Sequence, residues 1–137
     1  LGKYADGITF QQYWDPRVTF KDRFFGDAGN FAAYYAKNIT RPIAYHCAAG
    51  AACIIAYVEA MQAAKSVQPA AVRDALATLD IQTLYGRVRF TPQGDGDAVI
   101  MGPGVGQVQH GGMEFVYPPN GKTADMIYPM PRWDQRG

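Results

Sequence analysis

Cysteine and histidine are scarce in this chain, with two of each among 137 residues. Cys47 and Cys53 lie on one run of helix-forming residues, separated by well over one turn, so their side chains leave the helix on different faces and a disulfide between them is not expected. His46, Cys47, Cys53 and His110 lack zinc-type spacing, and no metal or cofactor is expected. Charge of one sign is lacking too. Thirteen Lys and Arg stand against twelve Asp and Glu, for a net charge of +1 without a basic run, which argues against nucleic acid and against a polybasic membrane anchor. Small molecules or proteins are the expected partners. The start, Leu1 to Asp6, carries neither a basic segment, an apolar core nor an initiator Met, so no signal peptide is visible and the sequence reads as beginning inside something longer.

What is present is organised around residues 44–65. Arg41-Pro42 gives a sharp entry, Tyr45-His46-Cys47 stand in front, and an alanine-rich run from Ala48 to Met61 follows. Strong helix formers with apolar residues on nearly every side predict a central helix buried on most of its circumference in a soluble protein. The run is long enough to span a bilayer, but His46, Glu59 and its weakly hydrophobic alanines argue for protein surroundings. Tyr45, His46 and Cys47 then lie at the positively polarised end of that helix, suited to a polar or anionic ligand.

The remaining elements follow from punctuation and period. Alternation over 7–14 predicts a strand ended by Asp15-Pro16. Asp27 is a candidate N-cap for a helix stopping near Asn38. Pro69 opens an amphipathic helix with Val72, Leu76 and Leu79 on one face. Short strands are predicted over 85–90, 106–109, 113–117 and 126–128, with Gly102 to Gly106 as a loop rather than a dinucleotide motif. Gly94-Asp95-Gly96-Asp97 lacks the downstream glutamate of a calcium loop and reads as a solvated turn. One strand followed by three helices leaves those helices no sheet of their own to cover, which a missing partner sheet would explain.

The segments Val72 to Leu76 and Thr83 to Gly94, with Gln107 to Gln109, Val116 to Pro118 and the closing Tyr128 to Trp133, resemble the C-terminal portion of the periplasmic branched-chain amino-acid-binding protein family. The aromatic strand ending at Trp14-Asp15-Pro16 and the long helix after Tyr45 fit the same family. The resemblance covers essentially the whole chain and the last third or so of a typical member. It implies part of a type I binding-protein fold of the α/β class: two lobes of parallel sheets flanked by helices, joined by three hinge crossings. Residues 1–14 would be a strand of the C-terminal lobe, 15–85 the helical part of the N-terminal lobe, and 86–137 the return crossing and C-terminal lobe strands. The N-terminal sheet, the signal peptide and the small hydroxylated residues that hold a ligand carboxylate are missing from this sequence.

The resemblance further implies a non-enzymatic, periplasmic solute-binding protein that delivers its ligand to an ABC transporter permease, the missing N-terminal portion being a further partner. Candidate ligand contacts are Tyr45, His46 and Cys47 at the helix front and Tyr13 and Trp14 at the strand end. Each has a packing alternative. The ligand would be an amino acid, an amide or an aromatic acid, with the aromatic content favouring the last. A ligand-sensing domain of the same fold is the alternative role. From another class, a small hydrolase using Cys47 is disfavoured because neighbouring helical residues point about 100° apart and Cys47 and His46 cannot form a dyad.

Overall fold

The computed structural model describes residues 2–136, without the side chains of Lys3, Ala98 and Val99. The backbone divides into two compact units, residues 20–102 and residues 1–19 with 103–137.

In the unit of residues 20–102, two short strands, β2 (Lys21–Asp22) and β3 (Gly26–Asp27), lead into helix α1 (Ala28–Asn38). Asp27 caps α1 as predicted, its carboxylate accepting from the Asn30 amide at 2.7 Å. Asp22 ties two turns together: Oδ1 accepts from the amides of Phe24 and Phe25, and Oδ2 from that of Leu84 at 3.2 Å. Helix α2 (Tyr45–Ala64) follows Pro42 and ends at Lys65 in the left-handed conformation. Helix α3 (Pro69–Ala77) opens with Pro69 in its first turn, and a tight hairpin of β4 (Asp80–Thr83) and β5 (Gly86–Arg89) turns through Leu84 and Tyr85. The short helix α4 (Ala98–Met101) completes the unit. Ala56 of α2, Leu79 and Val88 form a buried core on which Leu76, Ile81 and Phe90 pack.

Helix α2 departs from the expected all-round burial. Only Ala48, Ala52, Ile55, Ala56 and Ala60 are buried, while Cys53, Ile54 and Tyr57 face outward. By length and composition the helix could cross a membrane. The burial prediction failed because apolar residues on every side leave no periodic signal of which side is covered.

In the other unit, β1 (Thr9–Gln12), β6 (Gly104–Gln109) and β7 (Gly112–Tyr117) form a sheet in the order β1-β6-β7. The β6–β7 turn is His110-Gly111, both at positive φ. Strand β6 begins inside the predicted loop, and its glycines are needed there. A Cβ on Gly104 would lie 2.3 Å from the Phe115 ring and 2.4 Å from the Tyr117 carbonyl, and one on Gly106 would lie 2.6 Å from the Phe10 ring.

Every described strand pair is antiparallel, which corrects the expectation of parallel sheets for these residues. The cause is connectivity: β4–β5 and β6–β7 are joined by two-residue turns, too short for the crossover that parallel strands require. Residues 126–128 form no strand. The buried Gln107 side chain serves in place of a paired strand there, with Oε1 accepting from the Ile127 amide at 2.8 Å and Nε2 donating to the Ile127 carbonyl at 3.1 Å.

Candidate functional site

The front of α2 gathers three of the five residues singled out from sequence. Ala44 supplies the N-cap position without a side-chain hydrogen bond, so no capping side chain occupies the first turn of the helix. Tyr45 and His46 stack, ring centroids 3.8 Å apart at an interplanar angle of 30°, and both are exposed. Cys47 is half-buried beside them.

Two residues that sequence reasoning missed complete this group. Tyr35, from the second half of α1, hydrogen-bonds the Cys47 sulfur, and its own hydroxyl is pushed above the usual tyrosine range by that bond. The Cys47 thiol is in turn held below its ordinary value, chiefly by Tyr35, with help from the backbone hydrogen bond between its amide and the Ala44 carbonyl and from the charge of Arg41. Nothing in the local sequence signals a contact between Tyr35 and Cys47, because it depends on how α1 meets α2. Chemically the group offers an aromatic wall, a titratable imidazole and a thiol biased toward thiolate at an electropositive helix end.

Tyr13 and Trp14 belong to the unit of residues 1–19 and 103–137. Trp14 is buried, with 6% of its surface exposed, while Tyr13 is 40% exposed. The structure therefore brings Tyr45, His46 and Cys47 together within one unit and carries Tyr13 and Trp14 in the other. A groove of about 610 Å³ opens at the opposite end of α2, lined by Val58, Met61, Gln62, Lys65 and Val67 among others, and includes none of the five. Among the described residues, no group of three or more His, Cys, Asp or Glu is placed to hold a metal ion.

Close to Trp14, Asp15 and Arg17 form an ion-paired turn that reaches β7. The Arg17 amide and Nε both donate to Asp15 Oδ1 at 2.9 Å, and Nη1 donates to both Glu114 oxygens at 3.0 Å. Burial alone would raise the Asp15 carboxyl, but the bonds from Arg17 outweigh it and hold the group below the usual carboxylate range. Glu114 is lowered as well, first by the Thr123 hydroxyl and then by Arg17. This cluster is satisfied internally, and its role is structural.

No protein-family model matches the chain. Its backbone is similar to the crystal structure of a periplasmic binding protein from Burkholderia mallei, with a TM-score of 0.54 and 16% sequence identity. The match covers 97% of this chain and 29% of that one. The chain has part of a periplasmic-binding-protein fold. It spans less than a third of the length of the structure it matches.

Proposed function

We propose that the chain is part of an extracytoplasmic solute-binding protein of an ABC importer, acting by reversible binding and not as an enzyme. The observation that carries this reading is the fold likeness over 97% of the chain, combined with the exposed Tyr45–His46 stack at an uncapped helix start. Such a helix end favours a carboxylate or another polar group, and stacked rings favour a flat apolar body. An aromatic acid fits both, ahead of an aliphatic amino acid or an amide. The units of residues 20–102 and of 1–19 with 103–137 are assigned to the N-terminal and C-terminal lobes respectively, and the protein works in the periplasm with a permease as its partner. Because the matched structure is more than three times as long, the binding-competent protein includes a further N-terminal portion that completes the lobes.

The test is calorimetry on the full-length gene product with leucine, an amide and benzoate as probes, alongside mass spectrometry under native and denaturing conditions. Binding of one probe, or a small molecule lost only on denaturation, supports the reading. Absence of binding to all three classes rejects it.

A second reading, a Cys-dependent hydrolase, has one observation in its favour, the lowered Cys47 thiol. It lacks a base, because His46 is stacked on Tyr45 and His110 sits in the β6–β7 turn. Turnover abolished by stoichiometric alkylation of Cys47 would revive it. A sensor of the same fold remains the alternative within the binding class, and replacement of the permease by a signalling partner would identify it.

A further inference from the structure

The outward side of α2 is unusual for a helix that meets water. Gly50, Cys53, Ile54 and Tyr57 recur at intervals of three and four and form one stripe opposite the buried alanines, with Ile54 65% and Tyr57 53% exposed. The helix carries a single ionised side chain, Glu59, and it lies away from the stripe, paired with Arg23 at 2.6 Å. A surface helix normally turns its charges to the open side. Here the open side has none.

We infer that this stripe is the docking face for an apolar β-sheet contributed by the remainder of a longer polypeptide, an inference that rests on the solute-binding reading above. Three observations select that occupant. The helices α1, α2 and α3 follow one another without an intervening strand, and the β4–β5 hairpin already lies on the buried side of α2, so the second layer a helix layer needs is missing from the stripe side. The stripe from His46 to Met61 is about 24 Å long, the length of a strand of about seven residues, and open space at the Gly50 Cβ position lets a flat surface approach closely. Finally, 97% of this chain accounts for only 29% of the structure it matches, so ample polypeptide is available to supply the sheet. A lipid bilayer fits less well, because one side of α2 is already covered by protein. A second copy of the chain would leave the length difference unexplained.

Cys53 stands in the stripe and reports on it without mutation. The full-length gene product is treated with iodoacetamide in buffer and in urea, and the rates at Cys53 and Cys47 are read separately by peptide mass spectrometry. Cys53 is expected to react at least about a hundredfold more slowly in the native protein than in urea, independently of protein concentration and without added lipid. Equal rates in a protein that binds a probe solute overturn the docking face and leave the solute-binding reading standing. Protection in a protein that binds no probe does the reverse. Protection that grows with protein concentration overturns the inference in favour of a second copy, and protection that requires phospholipid vesicles overturns it in favour of a membrane. A gene product of 15.0 kDa with no companion overturns it outright.

Discussion

Arg17 and Glu114 lie 97 residues apart in sequence and meet in a two-pronged ion pair, one guanidinium nitrogen 3.0 Å from each carboxylate oxygen. The same side chain also donates to the Met113 carbonyl at 2.7 Å, so the turn after Trp14 is fastened to β7 by both charge and backbone.

Replacing Arg17 by Met keeps the length of the side chain and removes all of these donors. About 1 kcal/mol of stability is expected to be lost at pH 7, a figure discounted for the half-exposed guanidinium. The pH dependence follows from the direction of the shifts. Asp15 and Glu114 are both lowered in the folded protein, so their contribution is full above the ordinary carboxylate range and disappears as pH falls through the lowered values. Urea titrations at pH 7 and pH 3 should therefore show a large R17M deficit at pH 7 and a smaller one at pH 3.

Two glycines should respond to alanine with opposite signs. At Gly104 the new methyl meets the Phe115 ring and the Tyr117 carbonyl, and a cost of roughly 1–3 kcal/mol is expected. At Gly50, inside α2 with open space at its Cβ position, alanine should stabilise by about 0.5–1 kcal/mol through helix propensity. Thermal melts of G104A and G50A side by side check both, and a G104A melt at or above the parent would refute the packing account of β6.

The Asp27 cap gives a local prediction. Asp27→Ala removes the acceptor of the Asn30 amide and should cost about 1 kcal/mol, with Asp27→Asn close to the parent. Denaturant midpoints of the two variants distinguish the loss of the cap from the loss of the charge.

At the front of α2, the Tyr35 hydroxyl is the largest influence lowering the Cys47 thiol. Tyr35→Phe should raise that thiol toward its ordinary value, so Cys47 alkylation at neutral pH slows and its pH–rate midpoint moves up, while Cys53, on the exposed side of α2, keeps its rate. An unchanged Cys47 profile would show that Tyr35 does not act on the sulfur.

Local signals in the sequence located most elements. Asp27 and Pro69 mark helix starts because capping and the proline ring act within one turn, and the β6–β7 turn is marked by His110-Gly111. What stayed hidden depends on distant partners. The contact of Tyr35 with Cys47, the grip of Arg17 on Glu114 and the use of the Gln107 amide in place of a strand at Ile127 each join residues with no shared local pattern. The early start of β6 was missed because Gly104 and Gly106 resemble loop residues until the rings beside them are known. In α2, uniform apolarity concealed which side is covered. Of the candidate site, Tyr45, His46 and Cys47 were legible from their place before the helix, whereas the burial of Trp14 was not.

The Asp22 carboxylate accepts amides from two turns at once, Phe24 and Phe25 on one side and Leu84, 62 residues onward, on the other. A fluctuation that frees either turn leaves the shared acceptor partly unsatisfied and loosens the other. These three amides should therefore exchange their hydrogens with solvent on a common timescale, as members of one opening event that spans the start of the unit and its β4–β5 hairpin.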